Sequence, residues 1–170
     1  MPSHADSMMS HGMGKVKEIK ARLSGLVGVF ATLAEQHGEV AALLERAKRS
    51  DDKFAELWPK IRQELISHEQ GEVREVYPVL RARDATRELA DHHDAEAAQL
   101  EQLIGTIDNL AIGSPVRRER FDELVDMVLH HAREEETDIF PKAQDALGKE
   151  QSEELEAKFL KAKQQIAQAI

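Results

Sequence analysis

The sequence predicts an all-α protein, an up-down-up-down four-helix bundle with a short extra helix at its C-terminus. Three observations point there. Ala, Leu, Glu, Lys and Gln abound, while aromatics make up only 4% of the 170 residues, a composition that favours helix. Apolar residues recur at alternating spacings of three and four in four long segments, and no Val/Ile/Thr-rich alternation of strand type interrupts them. The chain also repeats itself. Leu33 to Arg46 aligns with Leu89 to Gln102 at an offset of 56, with seven of fourteen positions identical, and the second and fourth segments align at an offset of 63. Two helical hairpins related in this way make a bundle, and their short connections set its topology.

Taken in order, residues 1–14 read as a flexible polar tail, 15–148 as the bundle and 149–170 as a helix packed on it. The tail carries His4, His11, Met8, Met9 and Met13, a loose set for a soft metal but without any periodic organisation. The first helix is expected from about Lys15 to Arg49, with Leu23, Leu26, Phe30, Leu33, His37, Val40 and Leu44 on its inner stripe. Ser50-Asp51-Asp52 reads as a capped helix start with acidic residues at the positive end of the dipole. The second helix follows from Asp52 to Arg81, burying Phe54, Trp58, Ile61, Leu65, His68, Glu72 and Val76, with Pro78 expected to kink its last turns. Asp84 and Thr86 supply the next cap. The third helix, Ala85 to Leu110, places Leu89, His93, Glu96, Leu100, Leu103 and Ile107 on one face. Ser114-Pro115 opens the fourth, which shows Phe121, Leu124, Val128, His131, Glu135 and Ile139 inward and closes at Gly148. The last helix, Glu150 to Ala167, is expected to lie outside the bundle through Leu155, Phe159, Leu160 and Ile166.

Composition narrows the chemistry. The net charge is -9 and the pI near 5.4, so neither nucleic acid nor an anionic membrane is an expected partner. No stretch approaches the ~20 apolar residues of a membrane span, and no apolar leader core precedes the first helix, so a cytoplasmic location is expected. Cysteine is absent, which excludes disulfides, thiolate metal sites and thiol catalysis. Any metal must take imidazole and oxygen ligands, which suits iron, zinc, manganese or copper.

Such ligands stand in a twice-written phrase, His-x3-Glu-x4-aromatic-Pro: His68 and Glu72 running to Tyr77-Pro78, and His131 and Glu135 running to Phe140-Pro141. Residues four apart share a helix face about one turn from each other, so each pair can reach one metal or two adjacent ones. The repeat selects His93 over His92 as the partner of His37, and His131 over His130. Each helix thus offers one inward histidine, and four buried imidazoles with two carboxylates would be costly without a cation. The two glutamates suggest two ions, with the histidines as terminal ligands. A further carboxylate would ease the remaining positive charge. Glu96, one turn from His93, is expected as a ligand or as support for one. Glu69, beside His68, reads first as a solvated surface residue. Tyr77 reads first as an ordinary buried aromatic like Phe140, the alternative being a hydroxyl that reaches the metals.

From Leu23 to Leu147 these residues resemble the hemerythrin-like, or HHE cation-binding, proteins. The resemblance rests on His37, His68-x3-Glu72, His93, His131-x3-Glu135 and the aromatic-Pro after each pair. It implies a non-haem di-iron centre, two iron ions joined by an oxo or hydroxo bridge, held by those six residues with the glutamates bridging. The oxygen-carrying hemerythrins have a second histidine four residues after the one matching His93, where this chain has Ala97, and end with an aspartate five residues after the last histidine, where this chain has Glu135 at four. The four-His, two-Glu pattern is similar to that of bacterial and mycobacterial hemerythrin-like proteins.

Two functions of different class follow. The leading expectation is a di-iron protein that binds or reacts with small oxidants (peroxide, dioxygen or nitric oxide), with catalase-like peroxide handling favoured over oxygen carriage. The alternative is an iron- or oxygen-sensing module without turnover, which would need a protein partner. A single structural zinc needs fewer than six converging groups, and ferritin-type storage uses Glu-x-x-His pairs, not His-x3-Glu.

Overall fold

The structure is a computed structural model that describes residues 25–170. The tail expected at 1–14, and the first turns of the helix expected from Lys15, lie outside the described residues. Within them the first helix, α1, spans Gly28–Ala47. The apolar stripe runs on upstream through Leu26, but Gly25 and Gly28 both take positive φ and Val27 between them is extended. Glycine permits that break, and Gln144 fixes it: its side chain accepts from Val27 N and donates to Gly25 O.

Ser50 caps α2 (Asp51–Gly71) by accepting from the Lys53 amide at 3.1 Å, with Asp51 and Asp52 in the first turn. The helix then widens into one π turn, Glu72–Val76, before α3 (Tyr77–Arg81). The expected kink at Pro78 therefore takes a definite form. Pro78 has no amide to donate, and the Tyr77 amide reaches back five residues to the Glu72 carbonyl. The second copy of the phrase does the same. α6 (Pro115–Glu134) widens into a π turn at Glu135–Ile139, and the Phe140 amide donates to the Glu135 carbonyl.

The third segment departs from expectation. In place of one helix from Ala85 to Leu110 there are two, α4 (Arg87–Ala90) and α5 (His93–Asp108), with a turn at Asp91 and His92. Thr86 does not cap α4 with its side chain. Its hydroxyl donates to the Leu80 carbonyl at 2.7 Å, tying the connection down to α3. Ser114 caps α6 as expected, accepting from the Arg117 amide, with Pro115 in the first turn. The last helical run, α7 (Phe140–Ala169), bends at Gly148, where φ is 77° and ψ 169°. That bend sets the face of the final turns. Leu155 and Phe159 are buried, but Leu160 is 43% exposed, contrary to its expected contact, and Ile166 is half-buried.

Two apolar clusters fill the interior. One gathers Val40, Leu44, Phe54, Trp58, Leu65, Leu100, Phe121 and Val128; the other gathers Phe30, Leu33, Val76, Tyr77, Ala90, Phe140 and Phe159. Along α1 and the α4–α5 segment the chain passes from the second cluster to the first, and along α2 and α6 it returns, which is the up-down-up-down order. Between the clusters every one of these four segments crosses a polar layer. His37, His68, Glu72, His93, His131 and Glu135 lie there.

Candidate metal centre

The local fold aims each donor. His68 and Glu72 occupy the last turn of α2 and the start of its π turn, and His131 and Glu135 repeat that placement in α6. His37 stands mid-way along α1, whereas His93 opens α5. The donors converge in two groups whose ligand atoms lie within 4.8 Å of one another: His37, His68 and Glu135, and His93, His131, Glu72 and Glu69. The sequence offsets of 56 and 63 carry His37, His68 and Glu135 onto His93, His131 and Glu72, so the groups are repeats of each other. Each takes its histidines from one hairpin and its repeat-related glutamate from the other.

The two glutamates lie between the groups. Glu135 Oε2 is 3.2 Å from His37 Nε2, while its Oε1 is 3.5 Å from His131 Nε2 and 3.6 Å from His93 Nε2. Glu72 Oε2 stands 3.3 Å from His93 Nε2 and 3.4 Å from His68 Nε2. All four histidines thus show Nε2 to the layer. Side chains hold three of the outer nitrogens: Nδ1 of His37 meets Glu136 at 3.0 Å, that of His68 meets Gln36 at 2.9 Å, and that of His131 meets Glu96 at 3.0 Å. Partners of this kind fix ring orientation and raise ligand basicity.

Glu96 is therefore not in the converging set. It stands outside, half-exposed, with its carboxylate on the far nitrogen of His131. Glu69 is inside. It is 4% exposed, and its Oε2 lies 3.6 Å from both His93 Nε2 and His131 Nε2, so the solvated-surface expectation does not hold. Leu65, Glu69, Glu72 and Val76 follow spacings of four, three and four, so the stripe carried the signal. Tyr77 also departs from expectation. Its hydroxyl donates to Glu135 Oε1 at 2.5 Å and its ring stacks on His93, centroids 3.5 Å apart. Phe140, its repeat partner, stacks on His37 at 5.9 Å.

The electrostatics of this layer are those of a site short of positive charge. Burial pushes the Glu69 carboxyl up to about 8, helped by Glu72 and Glu135. Burial and Glu135 likewise raise Glu72. Burial opposes charge on His37 and His131 too, yet Glu135 and Glu136 lift the first to about 10, and Glu135, Glu96 and Glu69 lift the second to about 11. His68 goes the other way, since burial and the charge of His37, 3.1 Å away between Nε2 atoms, both lower it. Among the described residues, five buried side-chain atoms still lack a hydrogen-bond partner: Glu69 Oε2, Glu72 Oε1, His93 Nδ1, His131 Nε2 and Glu135 Oε2. Buried polar atoms left this way are costly and rare. Four of the five belong to side-chain ends that converge in the layer, and imidazole with carboxylate is the donor chemistry of a first-row metal. The residues fit a metal centre.

Comparison with known proteins agrees. The family model described as Hemerythrin HHE cation binding domain matches residues 28–165. The chain belongs to the hemerythrin HHE family. As a member of that family it carries a cation-binding domain, and the His/Glu layer is where this hemerythrin-like bundle brings metal-type donors together. A curated relative, named as a DNA nickase of Nostoc sp., is 27% identical over 175 residues. The alignment covers 92% of this hemerythrin-like chain but only 49% of that protein, so the chain spans about half the length of the relative it matches. No solved structure matches. Among the described residues, no helix is long and apolar enough to cross a membrane.

Proposed function

We propose that this hemerythrin-like bundle holds two iron ions and uses them on small oxidants, peroxide above all. His37, His68 and Glu135 would hold one ion, and His93, His131, Glu72 and Glu69 the other, with Glu72 and Glu135 shared between them. Bound iron would supply the electrons of a two-electron redox cycle. The supporting observation is a pocket of about 150 Å³ between α5 and α6. Leu100, Met127 and Val128 give it an apolar side, Glu96, Gln99 and His130 a polar one, and Glu69 and His131, each with an unpartnered buried atom, close its inner end. Its size admits a diatomic molecule or a peroxide and excludes a large substrate. The apolar walls limit water, and the Tyr77 hydroxyl on Glu135 holds a proton at the centre. Ala97, where the oxygen carriers have a fifth histidine, and Glu69 together replace an imidazole by a carboxylate, which favours peroxide chemistry over reversible carriage.

The test is elemental analysis followed by oxygen evolution. The expected result is close to two irons per chain and oxygen release when peroxide is added to the loaded protein. A loaded protein that releases none would remove the catalase-like reading.

The sensing alternative has one observation in its favour. The Phe159 ring meets the His68 ring edge-on at 6.0 Å, and Lys163 Nζ donates to Gln36, the residue that holds His68 Nδ1. Metal on His68 would thereby bear on α7. A protein that takes up iron, gains stability from it and turns over no peroxide would be this module. DNA cleavage, the activity in the relative's name, has less in its favour, because the donors are buried where a phosphodiester backbone would not reach; nicking of supercoiled plasmid by the loaded protein would reverse that.

A further inference from the structure

A second cavity, of about 140 Å³, opens beside the centre at the break between α4 and α5. Glu88, His92, Glu96, Glu134 and Asp138 supply its polar lining, and among the described residues no lysine or arginine lines it. A concave surface of one charge sign concentrates ions of the other and speeds their arrival. The inner lining includes His93, which is 2% exposed. Its Nε2 faces Glu72 in the metal layer, but its Nδ1 is buried with no hydrogen-bond partner, the Asp94 carboxylate being 3.7 Å off. Side chains hold Nδ1 of the other three layer histidines, so His93 alone among the four keeps an outer nitrogen unclaimed. Glu96, which holds His131, lines both this cavity and the apolar pocket.

The geometry points to this acidic cavity as the port by which a divalent metal ion reaches the centre. Glu88, Glu134 and Asp138 at the mouth gather the hydrated cation, and His93 on the inner side, whose Nε2 already faces Glu72, receives it into the layer. The apolar pocket on the other side of Glu96 is then left to the neutral ligand, so the two traffics are separated by charge. This inference rests on the dinuclear centre proposed above.

The experiment compares three full-length proteins in stopped-flow uptake of Co(II), read from the growth of its ligand-field absorption, with final metal content by elemental analysis. One is the wild type. The second is Glu88→Gln/Glu134→Gln/Asp138→Asn, all three residues being exposed and outside the metal layer. The third, Glu119→Gln/Glu150→Gln/Glu154→Gln, removes the same charge elsewhere on the surface. The mouth variant is expected to reach the wild-type metal content with an initial rate about tenfold lower and a flatter salt dependence, while the remote variant keeps the wild-type rate. Equal rates in the mouth variant and wild type would overturn the port and leave the centre standing. An equal slowing in both variants would overturn it too, by showing an effect of net charge alone. Failure of the wild type itself to take up metal would overturn the centre, a distinct result.

Discussion

The two halves of the metal layer share their donors and differ in what surrounds them. On the side of His37 and His68 the chain is closed. Phe140 stacks on one ring and Phe159 meets the other, Lys163 reaches Gln36 and Glu64, and the pocket there is only about 20 Å³. On the side of His93 and His131, α5 begins at His93 instead of running through it, two cavities of about 150 and 140 Å³ approach the donors, and Glu69 adds a carboxylate where the repeat has Ala132. The repeat therefore duplicated the ligands but not the access. Access was decided by parts without a repeat counterpart: the final turns of α7, which cover one side, and the break before α5, which opens the other.

The largest expected effect is at the closed side. Phe159→Ala removes a fully buried ring from the second apolar cluster and is expected to cost about 3–5 kcal/mol in denaturant unfolding. Met127→Ala, at the open pocket and only partly buried, should cost well under half of that. Similar losses would mean that α7 is not what seals the first side. Next comes the asymmetry in ligands. Glu69→Ala should weaken one of the two ions about 10–100-fold, the scale on which changes around metal ligands act, and leave the other, so competition with a chelator should resolve two affinities further apart than in wild type. Two ions weakened alike would place Glu69 between the halves instead of in one.

The smallest effect concerns the anchor of α7. Burial works against the Glu64 carboxylate, but Lys163 and Lys60 outweigh it and hold its pKa below the usual range. A depressed folded value means stability that is present above about pH 4.3, the ordinary Glu value, and lost as pH falls through the lower folded one. Lys163→Met should therefore show a shallower loss of stability on acidification below pH 5 than wild type, by about 1 kcal/mol or less for a half-buried pair still reached by solvent. Parallel pH curves would show the pair to be idle.

Much of this was legible in the chain. The helical stripes marked all six histidines and glutamates that the repeat relates, and Pro78 marked the bend expected in the second helix, though Pro141 was not read as its counterpart. What the bend consisted of was not legible, because a proline says which amide is missing and not which carbonyl its neighbour will choose; Tyr77 and Phe140 both choose the fifth residue back. Glu69 was hidden by its neighbour, since an acid beside a marked histidine reads as surface unless the stripe through Leu65 and Val76 is followed. For Glu96 the sequence left two roles open, ligand or support for one, and the structure takes the second. Three residues after His93 it stands about 60° around the helix, enough to put it on the outer nitrogen of His131. The turn at Asp91 and His92 carries neither Gly nor Pro, and the exposure of Leu160 depends on the bend at Gly148, which shifts the phase of everything after it.

The crossed origin of the two donor groups bears on assembly. His37 and His68 wait for a glutamate that arrives with the second hairpin, and His93 and His131 for carboxylates carried by the first. Neither hairpin alone offers a complete set, so metal affinity arises only when the two have docked. By the same linkage, bound metal opposes their separation. A chain severed between α5 and α6 would separate His131 and Glu135 from the remaining donors, and the two fragments should rejoin with an affinity set by the metal in solution. The centre is, in that sense, a clasp that closes on tertiary structure and leaves the individual helices to form by themselves.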